Sequence, residues 1–495
     1  DGQDGRDGRD GVDGQDGRDG RDGVDGQDGR DGRDGVDGQD GYNSLIKISA
    51  LAAGVECPQG GIWVQSGLDT NRNGQLDDTE VTSAASVCNG THALSRFVPV
   101  SPGETCAWGG MQVDIGLDLN GNGQLDDTEI QQSEVMCNRL YSVVNVSPGY
   151  LHTCALLSTN QVVCWGANAF GQLGDGTQID RWLPRIVPIE NVKDIQAGYF
   201  HTCAIKNDNT VWCWGRNNKG QLGNGSFVDS SNPVQVGINT SPQQLGLGWE
   251  HTCLLTNSNT VFCWGANDAG QLGNGTTTNS QTPVRATGIT LATRLSSSFK
   301  HNCVRNTNGA VACWGYNQYG QLGNGTTNNS LMPTGVSGLT NAIDVACGSA
   351  HTCAVLTDKL IYCWGNNERG QLGDNTWQQR LTPVQVAGNI ATERVTTFNS
   401  HTCFINNKTF PMCFGYNEFG QLGNNSTQNA KYIVEVSHDE HFTSIHAGGG
   451  HTCALSSEHH LWCWGNNTYG QLGDGLNVNA HIPVLTSLPS DEYMF

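Results

Sequence analysis

Two stretches of the chain place oxygen donors at the spacing a hard cation needs. The first reads GLDTNRNGQLDDTEV from Gly67 and the second GLDLNGNGQLDDTEI from Gly116. Each fits D-x-N-x-N-G-x-L-x-x-x-E, a calcium-loop pattern. Calcium takes six to eight oxygens, with glycine at the turn and a bidentate glutamate closing the loop. The first loop offers Asp69, Asn71, Asn73, the carbonyl of Gln75, Asp77 and Glu80. The second offers Asp118, Asn120, Asn122, the carbonyl of Gln124, Asp126 and Glu129. The ninth loop position often acts through water, so Asp77 and Asp126 are the weaker ligands. The alternative for either loop is a polar turn without metal. The flanks lack long amphipathic helices, so a structural Ca2+ site is expected, with affinity on the order of 10⁻⁴ M, and no conformational switch.

Sulfur supplies the second chemistry. Cys57 with Cys88 and Cys106 with Cys137 bracket the two loops, each pair 31 residues apart. Seven further pairs are ten apart: Cys154 with Cys164, Cys203 with Cys213, Cys253 with Cys263, Cys303 with Cys313, Cys353 with Cys363, Cys403 with Cys413, and Cys453 with Cys463. The members of each such pair flank a polar turn, so they can face each other across a hairpin at a spacing that suits a disulfide. Nine pairs use 18 of the 19 cysteines. Pairing on this scale implies an oxidising, extracytoplasmic compartment. Metal binding by these pairs is disfavoured, because no C-x-x-C spacing occurs. Cys347, in DVACGSAH, is left over. It is expected as a buried free thiol that fills a small apolar space. An intermolecular bridge is the alternative that an odd cysteine permits.

A histidine precedes each close cysteine pair, at His152, His201, His251, His301, His351, His401 and His451. One spacing is 49 and five are 50. A residue that recurs in every copy is expected to hold the fold, its imidazole bonding a nearby backbone group, before it is expected to catalyse. No acid, base or nucleophile stands out in one copy with supporting motif text, so the reading is non-enzymatic. The aromatic of each CWG (Trp165, Trp214, Trp264, Trp314, Trp364 and Trp464, with Phe414 as the exception) is read as packing.

Behind these residues lies one repeat. Periods of 40–50 residues signal propeller blades. In each copy a strand such as DIQAG leads to HTCAI, a polar turn, VWCWG, a Gly-Gln-Leu-Gly motif and a PVQV-like strand. Four short strands per copy make a blade, and seven blades close a ring with few exposed edges. The expected class is all-β. The landmarks HTCAL, CWG.N..GQLG.G and P..V cover residues 142–490, and there the chain resembles the family named for the regulator of chromosome condensation. That resemblance implies a seven-bladed propeller. It implies less about role, since the family spans a nuclear exchange factor for Ran, a secreted β-lactamase inhibitor and many bacterial surface proteins. An exchange factor is disfavoured here, because the propeller sums to −5 and lacks a basic tail.

From Gly2 to Gly41 every third residue is glycine. Strict Gly-X-Y periodicity marks a collagen triple helix, whose crowded axis admits only glycine. The tract contains no proline, and its 14 Asp against 6 Arg leave −8 per strand. Divalent cations or salt would relieve that repulsion. A disordered acidic linker is the alternative. The two calcium units are similar to small modules that follow Gly-x-x tracts in bacterial surface proteins. The expected division is a stalk over 1–41, modules over 42–90 and 91–140, and the propeller over 141–495. The sequence begins inside a repeat without an initiator Met, so it reads as a processed or partial product.

The 495 residues carry a net charge of −21, which argues against nucleic-acid binding. No apolar run approaches the ~18 residues of a membrane span. Recognition is expected in loops that vary, above all around Trp182 and Trp377, each near an Arg. The competing reading is that these rings cover the neighbouring blade. Together the features describe an extracellular or cell-surface homotrimer: a structural, adhesive fibre subunit whose heads bind a surface protein or glycan. Assembly of trimers into filaments is a further extension of that reading. The rivals are a lone secreted propeller tethered by an acidic stalk and, further off, a polysaccharide-acting enzyme.

Overall fold

The computed structural model describes residues 2–3, 5–6, 43–51, 61–69, 81–88, 93–100, 110–120, 122–137 and 142–488, with side chains only in part before 142. The chain divides into two compact units, Asp1–Leu140 and Tyr141–Phe495. Within the glycine tract only Gly2–Gln3 and Gly5–Arg6 are described, as a short parallel pair. The triple helix expected over 1–41 otherwise lies outside the described residues.

The first unit holds two antiparallel three-stranded meanders. One is built from Asn43–Leu51, Gly61–Asp69 and Val81–Cys88, the other from Ala93–Val100, Gly110–Leu117 and Ile130–Cys137. The calcium-loop sequences are therefore hairpin connections between the second and third strands. Residues 70–80 of the first loop and the side chains of Cys57, Cys88, Cys106 and Cys137 lie outside the described residues. In the second meander Asp114 is fully buried. Arg96 pairs with it at 2.9 Å and also reaches Asp127 at 2.8 Å, which ties the loop to the first strand.

The second unit is seven four-stranded antiparallel sheets. Blade 2 shows the pattern: Val192–Ala197, His201–Lys206, Val211–Gly215 and Ser230–Gln235, paired in chain order. Each blade comes from one contiguous stretch, and among the described residues no strand is exchanged between first and last. The seventh blade meets the first through a shared apolar cluster that joins Val143, Val146 and Trp165 to Leu455, Leu461 and Leu472. One such cluster fills every seam, and each contains one fully buried CWG ring or Phe414.

The Gly-Gln-Leu-Gly motif makes room for that ring. Gly273 has φ +68°, and a Cβ there would lie 2.7 Å from Nε1 of Trp314 in the next blade. Blade 6 departs from the pattern. Its first strand shrinks to Thr396–Thr397, where Thr392 Oγ1 donates to the carbonyls of Arg394 and Ile405. The first strands line an axial cavity of about 1310 Å³, with Asp194, Arg294, Asp344 and His446 on its wall.

Candidate functional site

The seven histidines form a girdle. Each is fully buried, and its Nε2 meets a side chain of the following blade: His152 with Thr202 Oγ1 at 2.9 Å, His201 with Thr252 at 2.8 Å, His451 with Thr153 at 2.8 Å. The same pattern holds for His301, His351 and His401, and His251 meets Asn302 Oδ1. The expectation of a backbone partner is thus corrected: the imidazole spans a seam to a hydroxyl or amide. Each threonine in turn donates to a glutamine carbonyl of the histidine's own blade, as Thr202 Oγ1 does to Gln172 at 2.8 Å. A hydroxyl that donates there must accept from the imidazole, so Nε2 carries a proton, and burial keeps the ring neutral. Burial pushes six of these imidazoles down to about 3 and His251 to about 4. The girdle is a fastening.

The disulfides have the same character. In each hairpin the second strand carries the first cysteine and the third strand the second, directly opposite in register. Cys154 is bonded to Cys164, Cys203 to Cys213, Cys253 to Cys263 and Cys303 to Cys313. Cys353 is bonded to Cys363, Cys403 to Cys413 and Cys453 to Cys463. All fourteen are fully buried, so these bonds staple the interior of each blade and offer no reactive sulfur to solvent. Cys347 is free and buried, and burial pushes its thiol up to about 12. Equally structural are the asparagines of CWG.N, such as Asn317. Its Oδ1 accepts from Leu322 N at 2.9 Å while its Nδ2 donates to the carbonyls of Thr326 and Asn328.

The loop 118–129 is drawn in on itself. Asp118 accepts from the amides of Asn122 and Gly123 at 3.1 and 2.8 Å. Asp126 Oδ2 accepts from both asparagine amides, of Asn120 at 2.8 Å and Asn122 at 2.9 Å. Glu129, 5% exposed, accepts from the backbone of Leu119, Asn120 and Asp126. Gly123 sits at φ +77° with open space around it. The donor set is all oxygen, gathered in one turn, and fits a hard cation such as calcium.

Trp182 and Trp377 are 40% and 46% exposed. Trp182 lies on Gly470 of blade 7. The ring of Trp377 sits 5.6 Å under Lys431 Nζ of blade 6. Each therefore leans on the neighbouring blade, the covering role weighed against recognition. Their arginines are tied into the same loops, Arg181 to Asp175 at 2.9 Å and Arg380 to Asp374 at 2.7 Å.

A site absent from the expectations lies two residues before each girdle histidine. That position holds Tyr150, Tyr199, Trp249 and Phe299 in blades 1–4, then Ser349, Asn399 and Gly449 in blades 5–7. Four successive aromatics make a crescent that faces a basin of small and polar groups. Tyr150 stacks on Tyr199 at 4.6 Å, Trp249 on Phe299 at 5.0 Å, and Phe398 closes onto Tyr199 at 5.0 Å. Phe398 also lines the axial cavity, so the cluster caps one end of it. Arg216 lies 4.8 Å over Phe170 and 5.6 Å over Phe200, and Lys300 lies 5.5 Å over Trp249. In the basin Ser349 Oγ donates to Asn399 Oδ1, whose Nδ2 donates to the Gly449 carbonyl. Phe299 has φ +31°, a strained conformation for a bulky residue and one that clusters at functional sites. Tyr199 is buried, while Tyr150, Trp249 and Phe299 are half-buried; such aromatics flanked by cations are chemistry for recognition. Alignment of the seven copies on their histidines would have found the crescent.

A family model of the RCC1-like domain matches residues 25–343. Regulator of chromosome condensation (RCC1) repeat models match 342–371 and 442–471, and also 358–405, 413–455 and 458–494. A collagen triple helix repeat model matches 1–45. Among solved structures, the chain is similar to yeast RCC1 (Prp20) bound to Kap60, with 20% identity, TM-score 0.60, and 70% of this chain and 85% of that one covered. It is also similar to human WBSCR16, with 19% identity, TM-score 0.58, and 72% and 94% covered. At that identity the likeness establishes the fold.

Proposed function

The chain belongs to the RCC1-like domain family, and from that premise we propose that it is an extracellular adhesive protein whose propeller is the binding head of a trimer. Three collagen-like tracts wind together, and three crescents then meet their ligand at once. Display in threes turns weak contacts into avidity. The two loops hold calcium through Asp69, Asn71, Asn73, the Gln75 carbonyl, Asp77 and Glu80, and through Asp118, Asn120, Asn122, the Gln124 carbonyl, Asp126 and Glu129. Disulfide usage supports an oxidising compartment outside the cell.

The observation that carries this reading is the broken sevenfold pattern at the crescent. The ring makes no uniform demand at that position, which leaves four successive aromatics free to serve a ligand. The ligand class it favours is a surface protein or glycan, met by aromatic edges, two cations and a polar basin.

The stalk is tested by sedimentation equilibrium of the full chain with calcium and then with EGTA. A species of three times the 53.0 kDa chain mass, loosened by EGTA, is expected. A monomer in both buffers would make the tract a tether and leave a lone binding propeller. The crescent is tested on a glycan array and on fixed cells, with the double variant Tyr150→Ala plus Trp249→Ala beside the parent. Binding should fall at least ~tenfold, and equal binding by the variant would remove the crescent from the account.

A further inference from the structure

Seven hairpin disulfides are equivalent by repetition, but one has a neighbour the others lack. Cys347 ends the first strand of blade 5, opposite Thr352. The corresponding residues elsewhere are Pro148, Ala197, Leu247, Ser297, Thr397 and Ala447. Its side chain packs in the seam between blades 4 and 5, in one apolar cluster with Cys303 and Cys313. The sulfurs of Cys347 and Cys303 and a ring nitrogen of His301 lie within 4.8 Å of one another. Cys303 is already bonded to Cys313. In the oxidised protein that sulfur is therefore no thiolate ligand, and a metal is not what the cluster suits. A free thiol beside a disulfide sulfur suits exchange.

We propose that Cys347 is an internal exchange site that moves the blade 4 disulfide across the seam into blade 5. Cys347 gives up its thiol proton and its sulfur attacks Sγ of Cys303. The Cys303–Cys347 bond forms as the Cys303–Cys313 bond breaks, and Cys313 leaves with the electron pair and takes up a proton. No oxidant or reductant enters, and the number of disulfides is unchanged. A staple within one hairpin becomes a covalent bond between two blades.

The closed ring keeps the step dormant. The Cys347 thiol donates to the Ser296 carbonyl at 3.4 Å. The groups packed on it from the two blades are Ser296, Cys303, His301 and Thr352, with His301 neutral. Burial is the largest influence and keeps the sulfur protonated, outweighing the contacts with Ser296, Cys303 and Thr352, which favour the thiolate. Exchange therefore waits for the seam to loosen, and it then locks together the two blades that had begun to part.

The full chain, held at pH 7 and at pH 9.5 with warming below its unfolding transition, tests this. Samples are quenched in acid, blocked with N-ethylmaleimide without reduction, and digested with trypsin and chymotrypsin. Cleavage after Arg305 and Trp314 separates the three cysteines. A Cys303–Cys347 peptide and labelled Cys313 should both rise at least ~tenfold from pH 7 to pH 9.5, as the thiolate fraction grows. Cys347→Ala, with Cys347→Ser as the second variant should the first fold poorly, should abolish label at Cys313 and leave the six other pairs intact. Label on Cys347 without any Cys303–Cys347 peptide would overturn the proposal. So would equal labelling of Cys313 in the variants.

Discussion

Two rings of residues sit two positions apart in the repeat and behave in opposite ways. At the girdle position every blade carries histidine, and each imidazole makes the same kind of bond across the same kind of seam. At the crescent position the residue changes from Tyr150 through Trp249 to Gly449. The first ring joins blades, and any blade that lost its bond would open a seam. The second lies over the end of the axial cavity, where the sevenfold fold makes no uniform demand. In a repeat protein sameness marks what closes the ring, and difference marks what the ring is for.

The largest effect expected from this contrast is on acid stability. The girdle imidazoles are neutral in the folded chain, most with affinities for protons pushed down to about 3. The unfolded chain protonates them near about 6.5. Their contribution is therefore complete above about pH 6.5 and is lost as pH falls from there toward about 3. Each histidine that is neutral when folded and protonated when unfolded adds a slope of about 1 kcal/mol per pH unit, so the seven together should exhaust an ordinary folding stability before about pH 4. Asp194, which burial pushes up to about 6, pulls the other way but is a single group. Thermal unfolding followed by circular dichroism at pH 7, 5.5 and 4 measures the slope. A melting temperature that stays level across that range would mean the girdle titrates in the folded state and is no fastening.

The next effect separates the packing layer from the recognition layer. Gly273→Ala puts a methyl 2.7 Å from Trp314 Nε1 at a φ of +68°, and overpacking plus left-handed strain should cost about 3 kcal/mol. Denaturant unfolding reads the loss, and a cost under about 1 kcal/mol would mean the seam yields easily. Trp249→Ala at the crescent should cost less, about 1 kcal/mol, because the ring stacks on Phe299 at the half-buried rim. If Trp249→Ala proved the costlier of the two, the crescent would be part of the core and the contrast would fail.

The sequence makes the girdle visible and hides the crescent for the same reason. His-x-Cys, CWG and Gly-Gln-Leu-Gly recur with a fixed period, so blade number, strand order and hairpin pairs such as Cys154 with Cys164 follow from spacing alone. Repetition does not say what an atom touches. Local reasoning puts the histidine's partner in the nearby backbone. The partner is instead a side chain some fifty residues on, such as Thr202 for His152, because adjacent blades bring together residues one period apart. Trp182 and Trp377 stand out as large rings in unlike loops, yet both lean on a neighbouring blade. Tyr150, Tyr199, Trp249 and Phe299 are ordinary residues one at a time, and they become a surface only when the ring sets them side by side.

The smallest expected effect probes a third position, where sameness gives way without a visible task. The turn between the second and third strands needs a left-handed residue. Blades 1–3 use Asn160, Asn209 and Asn259, and blade 4 uses Gly309. Blade 5 uses Lys359, at φ +70°. Asparagine tolerates that region better than lysine, so Lys359→Asn should raise stability by about 0.5 kcal/mol. The change also removes the contact of Lys359 Nζ with Glu393 at 2.6 Å, which is exposed and screened by solvent. A gain in the denaturation midpoint would show that this departure from the repeat is drift. A loss would show that the lysine is held for its charge at the mouth of the axial cavity, which it lines together with Glu393 and Arg394. That rim of the ring would then join the crescent as a place where difference has been selected.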